Sequence, residues 1–415
     1  MTLATVILAA GKGTRMRSRL PKALHPVCGR PMTEFLIQRA KEAGSRKTLV
    51  VAGYRVEDVR QALGAGAQVV LQKEQLGSGH AVQQTSRALS NFRGSVLVLY
   101  CDTPLITTAT LKRLLEDHGA NGTDCTLLSV DSPAPTGYGR VKRSGDGSVE
   151  KIVEELDASP EEKEIREINV GCYVFQAKKI YAALKRVQKN PNKKEYYLTD
   201  VIEILSREGR VQAVKTADQE EVLGVNTRVD LSHVQEIMQR RLLEDWMERG
   251  VGIRDPKTTF IDSDVKIGQD TVLLPHTVIE EGSQIGDRCV IGPFARIRGA
   301  SRIGSESVIG NFVEIVRSKI GRGTQVKHLS YLGDAEVGDF VNVGAGTITA
   351  NFDGKNKHKT VIRDRAQIGA GTVLVAPATV GRAAKTGAGS VVTKGTRIKD
   401  KSIFVGVPAK ELKRK

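Results

Sequence analysis

Ten aliphatic residues, Ile261, Ile267, Leu273, Ile279, Ile285, Ile291, Ile297, Ile303, Ile309 and Ile315, recur at a strict six-residue interval. An amphipathic helix repeats its apolar face every three to four residues and a half-buried strand every two, so neither explains the interval. A parallel β-helix does, with each hexapeptide making one short side of a triangular coil. The beat slips by one residue at Ile320, resumes at Val326 and Leu332, and slips again at Val337 and Val343. After an interruption it returns at Ile362, Ile368, Leu374, Val380, Thr386, Val392 and Ile398. Glycine often follows the beat residue (Gly268, Gly286, Gly292, Gly304, Gly310, Gly369, Gly381), as expected if tight corners need unusual backbone angles. From about Phe260 onward the pattern predicts a solenoid.

The N-terminal half carries a different pattern. Ala4 to Ala10 is a continuous apolar run, the mark of a strand buried on both faces, and similar runs follow at Thr48 to Ala52, Ala67 to Leu71 and Ser95 to Tyr100. Helix-length amphipathic segments separate them. That alternation predicts a mostly parallel sheet with ligands at the carboxyl ends of its strands. Leu231, Val234, Met238, Leu242 and Trp246 share one face of a helix expected from Arg228 to Arg249 and closed by Gly250. The expected division is 1–227 for the α/β unit, 228–250 for a linker helix and 251–415 for the solenoid.

The first strand runs into Gly11-Lys12-Gly13-Thr14-Arg15-Met16, with Pro21-Lys22 soon after. Glycine lets backbone amides approach phosphate oxygens, and Lys12, Arg15 and Lys22 supply charge. The spacing matches neither the Walker A loop nor the dinucleotide fingerprint. Asp102 follows the strand Val96 to Tyr100 and is well placed to hold Mg²⁺. Alone it reads as the cap of the next helix. In the solenoid the beat breaks at Asn351 to Thr360, a polar, basic loop, and interruptions in repeat proteins often carry binding. His328 precedes Leu329 in the sheet rhythm and is therefore expected to project outward; alone it reads as inert surface.

Length and composition narrow the partners. A chain of 415 residues exceeds one ordinary core. Its 40% apolar and 27% charged residues are those of a folded globular protein. The net charge of +16 favours anionic partners, but with 4% aromatics and no basic run interleaved with stacking rings, phosphorylated small molecules fit better than nucleic acid. Five scattered cysteines without metal-ligand spacing point to a reducing cytoplasm. No stretch has the length of a membrane-spanning helix, so no membrane insertion is expected.

LAAGKGTRM, PKALH, EQLGSGHA, YCDTPLI, GYGR, IVEELDAS, EINVG, EYYLTD and GVNTR occur in this order, and HLSYLGDAEVGD and NVGAGTIT follow in the solenoid. Together they resemble the GlmU family, the bifunctional N-acetylglucosamine-1-phosphate uridyltransferases and glucosamine-1-phosphate acetyltransferases. The resemblance implies a Rossmann-like α/β nucleotidyltransferase domain followed by a left-handed parallel β-helix. It implies that Gln72 and the Gly77-Ser78 turn hold uracil, with Ala9, Ala10, Gly11 and Lys12 nearby, and that Arg15 and Lys22 face the triphosphate of UTP. Asp102 and Asn226 would hold Mg²⁺, and Gly139, Glu154 and Asn169 the N-acetyl sugar. For acetyl transfer it implies His328 as general base and Glu314 as its orienting partner. Arg298, Tyr331, Asn342, Asn351 and Lys357 would hold glucosamine-1-phosphate, while Ala345, Asn351, Phe352, Ala370 and Ala388 would line the acetyl-CoA groove. It also implies a homotrimer with each acetyl site between adjacent β-helices.

Several positions depart from the family pattern. Cys101 stands where a small glycine is usual, Val316 where a phosphate-binding lysine is usual, Phe352 for tyrosine and Ala370 for serine. Arg317, next to Val316, is expected to reach toward the acceptor phosphate in place of the lost lysine. The solenoid before Arg298 is about two coils shorter, and the run Val407 to Lys415 is expected to alter the tail near a neighbour's CoA. Two other readings compete: a nucleotidyltransferase whose β-helix only oligomerises or regulates, and a non-catalytic sugar-nucleotide scaffold. Lys22, Asp102 and Asn226 argue against the second of these, and His328 with the Asn351 to Lys357 loop against the first.

Overall fold

The computed structural model describes residues 2–412, so the last three residues of the run Val407 to Lys415 lie outside the described residues. The chain divides into two compact units, Met1–Glu236 and Ile237–Lys415.

The first unit contains, in chain order, β1 (Leu3–Ala9), α1 (Met32–Glu42), β2 (Ser45–Ala52), α2 (Val56–Leu63), β3 (Gln68–Leu71), α3 (Ser78–Gln83), β4 (Ser95–Tyr100), α4 (Thr108–Asn121), β5 (Cys125–Asp131), β6 (Arg140–Arg143), β7 (Val149–Val153), β8 (Glu167–Gln176), α5 (Ala177–Leu184), α6 (Asp200–Glu208) and β9 (Val211–Lys215). The sheet order is β9-β5-β8-β4-β1-β2-β3. Every residue of β1 is buried, as its unbroken apolar run requires between two layers of helices. Strands β1 to β4 are parallel, and so is the β5–β9 pair. β8 departs from the mostly parallel expectation, running antiparallel between β4 and β5. The chain leaves β5 into the β6–β7 hairpin and returns from the same end of the sheet, so no crossover helix reverses its direction.

Helix α7 (Arg228–Glu248) follows. Its start is held by a reciprocal cap: the Asp230 carboxylate accepts from the Asn226 and Thr227 amides at 2.9 and 2.8 Å, and Thr227 Oγ1 accepts from the Asp230 amide. Its buried apolar residues are Val234, Ile237, Met238 and Leu243, whereas Leu231, Leu242 and Trp246 are half-buried.

In the second unit three sheets of ten, eight and eight short strands gain one parallel strand per coil, and only the last pair of the ten-stranded sheet, Ile403–Val405 with Lys410–Glu411, is antiparallel among the described residues. Val272 pairs with Val290 and Ile291 with Ile309, so a coil is three hexapeptides, wound as the left-handed β-helix. All the beat residues from Ile261 to Ile398 are buried and nearly all of them form one continuous core. The glycines after the beat have a different cause from the expected one. Apart from Gly292, none of those seven has a positive φ. A Cβ on Gly268 would lie 2.6 Å from the Gly286 carbonyl carbon, and one on Gly310 would overlap the Lys327 carbonyl oxygen. They are glycine because backbone passes closely over backbone. The left-handed turn falls two residues later, on Asp270, Arg288, Glu306, Phe312 and Ala383 among others.

Candidate functional site

The sheet of the first unit brings Asp102, Asn226, Lys22 and Arg15 together from distant parts of the sequence. Lys22 Nζ donates to Asp102 Oδ2 at 2.5 Å and to Asn226 Oδ1 at 2.9 Å, and Arg15 donates to the same Asn226 oxygen at 2.9 Å. Asp102 does not cap a helix; Thr107 caps α4. The Val225 amide donates to the Asp102 carbonyl at 2.8 Å, which seats Asn226 beside the carboxylate, and the Asp230 cap fixes the other side of Asn226. Gly13 has φ +60°, and a Cβ there would sit 2.8 Å from Lys22 Cβ, so glycine is what lets the Gly11 to Arg15 loop close onto Lys22. Gly11, Lys12 and Arg15 are exposed, whereas Ala9 and Ala10 are buried at the end of β1.

Two further groups lie at the same ends of the strands. Gln72, buried, donates to the Gly77 carbonyl at 3.2 Å and lies 2.9 Å from His80 Nδ1. Gly77 has φ +103° and no room for a Cβ against the Tyr196 carbonyl, and Ser78 Oγ accepts from the Leu198 amide at 3.0 Å. The Gly139 carbonyl accepts from the Asn169 amide at 2.8 Å, and a Cβ on Gly139 would lie 3.8 Å from both Asn169 Cβ and Glu154 Cδ. Burial raises the Glu154 carboxyl above its usual range, opposed by a 2.8 Å bond from Thr199 Oγ1.

Tyr100 joins these groups and was not singled out from sequence. Its phenol is bonded to Ser78 and lies within the fields of Glu154 and Asp102, and burial pushes its pKa well up. Its ring packs against Gly171, where a Cβ would be 2.8 Å away. The signal was its place as the last residue of β4, just before Cys101. Cys101 is buried, and burial followed by the Asp102 charge pushes its thiol up to about 12.

On the β-helix, His328 is exposed and ends the strand Gln325–His328. Its Nδ1 lies 3.2 Å from Asn311 Oδ1 on the preceding coil. The expected contact with Glu314 is not made. Glu314 pairs in register with Tyr331 on the next sheet and accepts from Arg298 Nε at 2.6 Å, so the corner at Leu329 separates the two side chains. Arg317 also differs from expectation: its fork grips both oxygens of Asp334 at 2.7 and 2.8 Å. Asn351 donates to the same carboxylate, and Tyr331 is bonded to Arg317. Arg317, Tyr331 and Asn351 therefore form one cluster, beside a fully buried Val316. Asn342 lies on the sheet of His328, away from that cluster. Lys357 is exposed, in a loop closed by a Phe352–Lys357 bridge and by His358 Nε2 at 2.6 Å from Asp353.

Ala345, Ala370 and Ala388 each occupy the middle of a Gly-Ala-Gly triplet at one corner of successive coils. The Gly371 amide donates to the Ala345 carbonyl and the Gly389 amide to the Ala370 carbonyl, both at 2.7 Å. The same corner in earlier coils carries His276, Phe294 and Phe312, stacked with centroids 4.6 and 4.9 Å apart, then Leu329.

Among the described residues no cluster of three or more His, Cys, Asp or Glu side chains is arranged to hold a metal, and no helix is long and apolar enough to cross a membrane.

The profile of the MobA-like NTP transferase domain matches residues 5–193, and that of the six-repeat bacterial transferase hexapeptide matches residues 264–299 and 282–317. The chain is 46% identical to the Bifunctional protein GlmU of Shouchella clausii, over 94% of this chain and 93% of that protein. It is 48% identical to the protein of that name from Pelotomaculum thermopropionicum, over 91% and 90% of the two chains. The identity with the Geobacillus thermodenitrificans protein of that name is 44%, over 94% and 92%.

Proposed function

The chain belongs to the GlmU family of bifunctional proteins, and from that premise we propose how its residues divide the two transfers. It is an acetyltransferase and uridylyltransferase of UDP-N-acetylglucosamine synthesis: acetyl passes from acetyl-CoA to glucosamine-1-phosphate, and uridylyl then passes from UTP to N-acetylglucosamine-1-phosphate.

The sugar phosphate is already a nucleophile toward the α-phosphorus, so uridylyl transfer needs positioning and charge neutralisation more than a protein base. Arg15, Lys22 and the amides of the Gly11 to Arg15 loop would face the triphosphate; Gln72, Gly77 and Ser78 would hold the uracil; Gly139, Glu154 and Asn169 would hold the sugar. The observation that carries this reading is the convergence of Lys22 on both Asp102 and Asn226. The Lys22 ammonium seated between these two hard oxygen donors supports a shared cation site, and oxygen donors suit Mg²⁺. Bound there, the metal would neutralise the phosphate charge. Asp102 and Asn226 would hold it, and Lys22 would turn toward the phosphates.

For acetyl transfer, exposed His328, whose ring is not tied to a carboxylate as His358 is to Asp353, is the candidate base, and it would take the proton from the sugar ammonium. Asn311 would orient its ring within the subunit. The acceptor phosphate would meet Arg298, Lys357 and the Arg317–Asp334–Asn351 cluster, and the Gly-Ala-Gly corner would pass the CoA chain. A base on an open face needs a second subunit to exclude water. The exposed Phe294, Phe312 and Leu329 column beside it offers such a surface, and a homotrimer built on it is our reading. Five free, buried cysteines accord with a reducing cytoplasm. The test is to assay the purified protein separately for pyrophosphate release and for free CoA thiol. Release of pyrophosphate alone would reduce the β-helix to an assembly module.

A further inference from the structure

Arg140, the first residue of β6, is one of the largest fully buried side chains of the described residues. It faces Val153 on β7 and Ile168 on β8. A buried guanidinium is costly unless it is paired. Its partner is Glu155, two residues past the end of β7, whose Oε2 lies 2.7 Å from Arg140 Nη1. The same Nη1 donates to the Tyr138 carbonyl, and Glu155 Oε2 also accepts from the Gly137 amide at 2.9 Å. The ion pair therefore holds peptide groups on both sides of the Gly137–Tyr138 link.

The place of that link gives the pair its interest. Gly137 has φ +88° with no atom near the position of a Cβ, so it is glycine for its conformation and not for want of room. Gly139 follows the turn directly, and its carbonyl accepts from the Asn169 amide at 2.8 Å. Glu154 stands immediately before Glu155. Gly139, Glu154 and Asn169 are the groups assigned above to the N-acetyl sugar, and each is one residue or one hydrogen bond from the Arg140–Glu155 pair or from the turn it holds. Stability alone does not account for an ion pair here, because well-packed apolar side chains often serve a core as well or better. Its bonds to the turn give it a different use.

We propose that Arg140 and Glu155 are positioning residues for sugar binding, fixing the Gly137–Tyr138 turn and through it the spacing of Gly139, Glu154 and Asn169. This rests on the reading of those three residues as the sugar-holding groups. Neither Arg140 nor Glu155 need touch the substrate.

The test measures pyrophosphate release by the full-length protein, with UTP and N-acetylglucosamine-1-phosphate varied in turn. Arg140→Met combined with Glu155→Ala removes the brace without stranding a charge. The melting curve checks that it folds; should it not, Glu155→Ala alone, at a half-buried position, makes the same comparison. The Michaelis constant for the sugar phosphate should rise about tenfold, while that for UTP stays within about twofold. Arg140→Lys should raise the sugar constant only about threefold. Both bonds come from Nη1, which an ammonium can partly replace, and the buried Nε makes none. Equal rises in both constants, or wild-type kinetics in the folded double variant, would overturn the proposal. An Arg140→Lys protein as impaired as the double variant would reduce the pair to packing. Glu154→Ala separates the brace from the site beneath it. If that variant also leaves the sugar constant unchanged, the sugar site itself is misplaced; if it raises the constant and the double variant does not, the brace alone fails.

Discussion

Lys22 Nζ and Asp102 Oδ2 lie 2.5 Å apart although eighty residues separate them in the chain. Both are mostly shielded from water, with side chains 14% and 22% exposed. The pair exists because two strand ends and a glycine loop meet there, and Asn226 completes it from a third direction. Removing Asp102 leaves Lys22 without its carboxylate and, in the proposed reading, takes away the one charged ligand a metal would have there. Asp102→Ala should lower pyrophosphate release about a hundredfold or more, since electrostatic groups at a transferring phosphoryl centre carry that much. Free-thiol release from acetyl-CoA should stay within about twofold, as measured with a thiol reagent. Parallel loss of both activities in a folded variant would contradict the division of labour.

Gly13 governs the same cluster by geometry. Gly13→Ala places a methyl 2.8 Å from Lys22 Cβ at a φ of +60°, where an L-residue is strained. The expected cost is about 1 kcal/mol of stability. Lys22 must also move off the Asp102–Asn226 pair, so uridylyl transfer should fall with the Michaelis constant for UTP rising, while acetyl transfer is untouched. Wild-type UTP kinetics in this variant would show that the loop has slack.

His328→Ala should remove acetyl transfer by two to four orders of magnitude, the range of a positioned general base, roughly 10²–10⁴-fold. Pyrophosphate release should be spared. Asn311→Ala is the informative companion: if Asn311 orients the imidazole, as its 3.2 Å contact suggests, acetyl transfer should fall about tenfold with the Michaelis constants little changed. A silent Asn311→Ala would return the orienting role to Glu314 across a subunit boundary.

The β-helix was legible from one-dimensional pattern because each coil repeats the same local contacts, and every beat residue from Ile261 to Ile398 is buried. Gly268 and Gly310 were legible as glycines but not for their reason, since backbone-to-backbone approach between coils leaves no trace in one hexapeptide. The reversal of β8 was hidden for a similar cause: Glu167 to Gln176 is apolar on both faces whichever way it runs. Asp102, Lys22 and Asn226 could be named from motifs, but their convergence on one nitrogen is tertiary. Glu314 and His328 looked like partners because the family motifs place both at one site. The corner at Leu329 turns them onto different faces, which spacing alone does not reveal.

Cysteine chemistry separates this chain from a redox-regulated enzyme. All five cysteines are buried and outside any disulfide, and burial pushes Cys101, next to Asp102, up to about 12. A thiol so placed stays protonated and unreactive at pH 8. Iodoacetamide at that pH should label none of the five in the native protein and leave pyrophosphate release intact, whereas denatured protein should take up five equivalents by mass spectrometry. Rapid native labelling of Cys101 with loss of activity would show that the site opens.

Arg317 and Asp334 give the sharpest test of the acceptor site. Val316 is fully buried and offers no charge, so in the proposed site the phosphate would be met by Arg298, Lys357 and whatever Arg317 organises. Arg317 does so through Asp334: its bidentate grip, and the bond from Asn351 to the same carboxylate, tie the corner of one coil to the root of the extruded loop. Arg317→Ala should raise the Michaelis constant for glucosamine-1-phosphate about tenfold, or about 1.4 kcal/mol, by loosening Asn351, with that for acetyl-CoA unchanged. The pair is half open to water, so its loss should cost global stability under about 1 kcal/mol. The pH dependence has a definite sign. The Arg317 bond, chiefly, holds the Asp334 carboxyl below its usual range. A carboxyl depressed in the folded state stabilises above its unfolded pKa, and that contribution disappears as pH falls through the folded value. The wild type should therefore melt slightly higher than Arg317→Ala at pH 6 to 8, and the two curves should converge below about pH 4. A melting difference that persists into acid would assign the effect to packing over Val316, and an unchanged acceptor constant would place Arg317 outside the acetyl site.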